Sequence, residues 1–246
     1  MCPGRRRETI APLLDHRLDP VSPLSLRKPS ISPPTGIDQT GSVQITKAVD
    51  RLNQHLPLTS RQRSLDPRLA RLHRDILSEF ARTGRPPRVD PTDARELAAS
   101  DLVVLGADAV VVGAYPFSVA PTKHLVELPT THTYAMCSLD ALAIAPVFWT
   151  RTTIRSSCAL KETSIQIEQD GDRLLSADPG SALVGIRWQD PTGHAATSMC
   201  RDMVFLAGTE EAEAWRGPDR SSAGVFTIDD AIEFAVGFFA PLLGDV

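Results

Sequence analysis

"DLVVLGADAVVVGAYPFS", Asp101–Ser118, is where the chain changes character. Before it, apolar residues recur at helical spacing. Within it they gather into two β-rich segments on either side of Gly106-Ala107-Asp108, the pattern of two strands joined by a turn.

Upstream, "VQITKAVDRLNQHL" sets Ile45, Val49, Leu52 and Leu56 on one helical face. A second helix follows in "SLDPRLARLHRDILSEFARTGRPP". There Asp66 caps, Pro67 takes the first helical position, Leu69, Leu72, Ile76, Leu77 and Phe80 form the stripe, and Gly84 with Pro86 and Pro87 ends it. A shorter third helix is expected from Pro91 to Ser100 behind Asp90. Three helices followed by a hairpin is the order of a winged helix, which raises a DNA-binding reading with Arg82, Arg85, Arg88 and Arg95 as its basic contribution. The neighbouring Asp90, Asp93, Glu96 and Asp101 would repel phosphate, so the segment reads as structural.

Downstream of Val119 the pattern is α+β. "SIQIEQDGDRLLSA" alternates apolar and polar residues around a turn at Asp170-Gly171, and "SALVGIRW" and "MCRDMVFLAG" read as further strands. "TEEAEAW" reads as a short helix capped by Thr209, and "TIDDAIEFAVGFFAPLL" as a closing helix capped by Thr227. Residues 1–43 hold seven prolines and no sustained apolar period, the composition of a disordered extension. The expected organisation is therefore an extension over 1–43, a winged-helix-like segment of three helices and a hairpin over 44–118, and an α+β core of mainly antiparallel strands with flanking helices over 119–246.

With 246 residues, 42% of them hydrophobic, the chain can build a substantial core. Its formal charge of −4 lacks the positive field that draws most nucleic-acid binders to phosphate. The longest apolar run, Ala135–Trp149, is broken by Cys137, Asp140 and Pro146 and falls short of the roughly 18–20 residues that span a bilayer. No export signal follows the arginines at the start, so a cytoplasmic location is expected, with no membrane and no nucleic acid as partner. There is no dinucleotide-binding glycine pattern, P-loop, G-x-S-x-G elbow or H-E-x-x-H zinc site, and the six histidines are scattered. Any chemistry must come from thiols and carboxylates.

The four cysteines, Cys2, Cys137, Cys158 and Cys200, form no C-x-x-C pair, which argues against a zinc knuckle. In "MCSLDALAIAPVF", read as a helix starting near Cys137, a spacing of three puts Cys137 and Asp140 on one face. The positive end of the helix dipole favours thiolate at Cys137, and Asp140 can take up the thiol proton and return it later. A bland reading fits the same spacing: Asp140 satisfies the helix N-terminus and Cys137 packs. Cys200, at the start of an apolar strand, adds a second thiol that could meet the pair from across the fold. Two thiolates and a carboxylate suit a soft cation.

Taken together, "YAMCSLDAL", "RTTIRSSCALKETSIQI" and "SMCRDMVFLAGTEEAEAW" resemble, in order and spacing, the organomercurial lyases (alkylmercury lyases, the MerB family). The resemblance covers roughly residues 44–240. It implies protonolysis of carbon–mercury bonds to a hydrocarbon and Hg(II), with Cys137, Asp140 and Cys200 as the catalytic and mercury-binding trio and Cys158 as a structural cysteine. It further implies an organomercurial substrate and no tightly bound cofactor. Free thiol would act as co-substrate, and Hg(II) would be a transient product passed to low-molecular-weight thiols or a mercuric reductase. Met136 stands where an aromatic often precedes the first cysteine, and Arg201 where some members carry a further cysteine. Two rival readings remain at this point: a mercury- or thiol-responsive transcription factor, and a non-catalytic relative that binds soft metals.

Overall fold

Local signals set the first helices. The structure, a computed structural model, describes residues 39–244, with side chains from residue 44 onward. Helix α1 runs Gln39–His55 and α2 Leu58–Arg63. Helix α3, Pro67–Thr83, is capped by Asp66, whose carboxylate accepts the Arg68 N–H at 2.8 Å. It ends at Gly84 with φ 74°, the left-handed conformation that glycine adopts without strain. Helix α4, Pro91–Ala99, starts the same way, with Asp90 accepting from the Thr92 N–H at 2.8 Å. The extension expected over residues 1–43 lies almost wholly outside the described residues.

The segment Asp101–Ser118 forms β1 (Val103–Leu105), β2 (Val111–Ala114) and β3 (Phe117–Ser118). Next come β4 (His124–Glu127), β5 (His132–Ala135) and helix α5 (Ser138–Val147). Strands β6 (Arg151–Ser157), β7 (Ser164–Asp170), β8 (Arg173–Asp178) and β9 (Leu183–Arg187) follow. The chain closes with β10 (Met203–Leu206), α6 (Thr209–Arg216), β11 (Ala223–Thr227) and α7 (Ile228–Phe239).

Two antiparallel sheets result, one ordered β1-β2-β3-β5-β4-β6-β7-β8 and a smaller one ordered β10-β9-β11. The α+β class expected from the sequence is what the chain adopts. Four helices, α1 to α4, precede the β1-β2 hairpin where three were expected, the short α2 being the addition. The β1-β2 hairpin is the rim of the large sheet, since β2 pairs with β3 and β3 with β5. One continuous apolar cluster runs from Ile45 on α1 to Leu242 after α7, drawing on both sides of residue 118. Among the described residues no helix is long and apolar enough to cross a membrane.

Two local expectations need correction. The strand expected across "MCRDMVFLAG" begins only at Met203, because Met199–Asp202 coil into a 3-10 turn. The cap expected from Thr209 is absent: Thr209 is the first helical residue, and Gly208 precedes it with no side chain to accept a bond. Thr227 does cap α7, its hydroxyl accepting the Asp230 N–H at 3.1 Å.

Helix α5 positions the site. It is apolar on every side, and a helix of that kind is stable only when covered all round. All ten of its residues are buried, between α7 on one side and strands of both sheets on the other. Any polar group on its first turn is carried into the interior with it.

Candidate active site

Cys137 is the N-cap of α5. Its extended backbone turns the side chain back over the first turn, where Sγ accepts the Asp140 N–H at 3.4 Å. The spacing of three therefore holds cysteine and aspartate together, as the sequence suggested. Cys200 arrives from the 3-10 turn before β10, which packs against α5. The ligand atoms of Cys137, Asp140 and Cys200 all lie within 4.8 Å of one another, and all three residues are buried. Cys158 stands apart from this cluster, fully buried just beyond the end of β6.

Burial decides the charge state. It pushes the Cys137 thiol well above its ordinary range, and its proximity to Cys200 and Asp140 adds to the effect. The helix dipole is worth about 0.3–1 kcal/mol, too little to hold a thiolate against loss of water on every side. At Cys137, burial thus works against the thiolate that the helix dipole favours. For Cys200 the hydrogen bond with Cys137 pulls downward, while burial and the charges of Asp140 and Asp101 outweigh it and leave the thiol raised. Asp140 is lifted by burial to about 7, against partial stabilisation from Cys137. Its Oδ2 is buried and meets no donor among the described residues. This carboxyl gains and loses a proton near neutrality, as a proton carrier should.

A cavity of about 320 Å³ is lined by Cys200, Arg201, Met203, Lys123 and His124, among others, and Cys137 lies behind it. His124 donates or accepts at Ser156 Oγ, 2.9 Å away, and packs edge-on against Phe205. Burial holds the imidazole down to about 4, so it is neutral at physiological pH.

The Cys200 turn is fastened from outside the trio. Asp101, at φ 51°, accepts from His194 Nδ1 at 2.9 Å, from the Ala195 N–H at 3.2 Å and from Arg61 at 3.1 Å. The Tyr115 hydroxyl donates to Asp101 at 3.2 Å and accepts the Ala196 N–H at 2.8 Å. Sequence reasoning missed Tyr115 and read Asp101 only as a charge unfavourable to DNA. Neither sits in a motif, and their partners in the His194–Ala196 turn are 81 to 94 residues away along the chain.

A family model for alkylmercury lyases (MerB) matches residues 117–240, half of the chain and all of the trio. The chain belongs to the alkylmercury lyase family. The alkylmercury lyase of Staphylococcus epidermidis is 28% identical over 153 residues, 62% of this chain and 68% of that relative. The alkylmercury lyase of Bacillus cereus is 28% identical over 114 residues, 46% of this chain and 51% of that protein, so the match spans about half of its length. A solved structure titled as the mercury-bound form of MerB2 superimposes with a TM-score of 0.65 at 19% identity, covering 76% of this chain and 98% of that one. The last comparison speaks for the fold. An organomercurial lyase is the enzyme class that family, fold and buried trio together support.

Proposed function

We propose that this chain cleaves R–Hg bonds by protonolysis, with Cys200 and Cys137 as successive mercury ligands and Asp140 as the proton carrier. The observation that supports it most directly is the convergence of two thiols on a carboxyl of near-neutral pKa inside an apolar interior. Cys200, on the cavity wall, takes the substrate first. R–Hg–SR′ exchanges its thiolate for that of Cys200, and the Cys200 proton leaves on R′SH. Asp140 then accepts the Cys137 proton as the Cys137 thiolate joins the metal. The second thiolate pushes electron density toward carbon. Asp140 delivers its proton there as the carbon–mercury bond breaks, releasing R–H and regaining its negative charge. Two molecules of thiol carry Hg(II) away and return both cysteines to the thiol form.

Soft thiolates select the metal, and the steps balance without a redox cofactor. Low-molecular-weight thiols, or a mercuric reductase, are the acceptors of Hg(II) in this proposal. Residues 44–118 serve as scaffold rather than as a nucleic-acid reader. A reducing cytoplasm would keep the site competent, and the three described cysteines are free thiols.

The test is headspace gas chromatography of the purified protein supplied with phenylmercuric or methylmercuric salt and excess small thiol, beside Asp140→Ala. Catalytic benzene or methane from the parent, lost in the variant, is expected. One equivalent of bound mercury without hydrocarbon would overturn the reading.

A further inference from the structure

The sulfur chemistry around the trio does not end with the two cysteines. Of the four methionines in the chain, Met136 and Met203 line the cavity beside Cys200. Met203 is the first residue of β10, only 3% exposed, and its Sδ accepts the Cys137 thiol at 3.6 Å. It therefore touches both the cavity from which substrate arrives and the cysteine behind it.

We propose that Met203 is a third sulfur ligand for mercury in this site, its thioether holding the metal between Cys200 at the cavity wall and Cys137 beyond. The inference rests on the lyase reading for its substrate. A thioether is a soft donor of the kind that suits soft cations. At a metal–sulfur bond of roughly 2.3 Å, the zinc–thiolate length, two sulfurs 3.6 Å apart subtend roughly 100° at a shared ion, an ordinary angle between ligands. Mercury, being larger, closes that angle somewhat.

Charge explains why a thioether belongs here. Hg(II) on two thiolates is already neutral, and a third thiolate would leave net negative charge in an interior that penalises it. Methionine adds softness without charge. The competing reading is that Met203 fills space, as flexible methionines often do. It accounts for the burial, whereas a side chain used only as filler has no need to set its sulfur, rather than a methyl, against the thiol.

The experiment is X-ray absorption on the Hg(II)-loaded full chain, labelled with selenomethionine, for the parent and for Met203→Leu, which keeps the volume and removes the chalcogen. A selenium neighbour of mercury in the parent that is absent in Met203→Leu is expected, with Hg(II) held about 10-fold less tightly by the variant, as measured by competition with a small dithiol. A parent spectrum with no selenium neighbour overturns the proposal, and so does an unchanged neighbour in the variant. If Met203→Leu fails to fold, Met136→Leu decides instead: it removes the other methionine of the cavity wall, and the selenium neighbour should persist in it, whereas its loss there overturns the proposal. A selenium neighbour in a parent that releases no hydrocarbon would sustain the ligand and sink the lyase reading, so the two are separable.

Discussion

Tyr115 and Asp101 share a buried hydrogen bond of 3.2 Å, and between them they accept the backbone N–H groups of Ala195 and Ala196, five and four residues before Cys200. The turn that presents the second thiol is thus fastened to both ends of the β1-β2 hairpin, by Asp101 just before β1 and by Tyr115 just after β2. Burial first, then the nearby Cys200 and Asp101, holds the phenol above its usual range, so Tyr115 stays neutral and available as a donor.

Tyr115→Phe removes that donor and leaves the Ala196 N–H without its acceptor. A loss of about 1–3 kcal/mol in unfolding free energy is expected, from denaturant titration. Because Cys200 is displaced while Cys137 and Asp140 are not, kcat should fall more than the stability change alone explains. A variant that is destabilised yet turns over at the parent rate per folded molecule would show that the fastening is purely structural.

The cysteines should separate by location. Cys137→Ser and Cys200→Ser are expected to abolish hydrocarbon release. Cys158→Ser, which sets a hydroxyl in a fully buried position outside the cluster, should cost about 1–3 kcal/mol of stability and leave turnover per folded molecule intact. Loss of turnover with a normal melt in the Cys158 variant would reassign the roles.

Stability should peak near pH 6.5. Burial holds both His73 and His124 down to about 4, so from about 6.5 downward the unfolded chain binds two protons that the folded chain refuses. Asp140 acts oppositely: from its ordinary 3.8 up to about 7, the folded chain keeps a proton that the unfolded chain has lost. Between about pH 4 and 6.5 two groups outweigh one, and stability rises with pH by about 1.4 kcal/mol per unit. From about 6.5 to 7 only Asp140 acts, and stability falls. Asp140→Asn should steepen the rise and abolish the fall. Chemical denaturation across pH 4–8 checks both limbs, and a parent profile flat above 6.5 would mean that Asp140 is already ionised there.

Gly84→Ala should destabilise by at least about 1–3 kcal/mol. Its φ of 74° disfavours a side chain, and an added Cβ would lie 2.2 Å from the His132 carbonyl oxygen. A thermal melt reads the effect. An unchanged melting temperature would mean that the α3–β5 contact gives way easily.

Much of the fold was legible along the chain because its signals are local. Asp66-Pro67, Asp90-Pro91, Gly84 and Thr227 act within one helical turn, and the period of α3 is carried by its own residues. The pairing of Cys137 with Asp140 was equally local, since three residues of helix set it, and the three linked motifs pointed to Cys200. What the sequence determined, then, was the identity of the reacting groups and the elements that carry them. Tertiary structure decided their chemistry. Whether Cys137 rests as thiol or thiolate depends on the burial of α5 between α7 and the sheets, a desolvation that no neighbour in sequence supplies and that outweighs the helix dipole. The same burial raises Asp140 into the range where it can carry a proton. The 3-10 turn at Cys200, its fastening by Tyr115 and Asp101, and the approach of Met203 join residues some 66 to 94 positions apart, through contacts that exist only once the chain has folded.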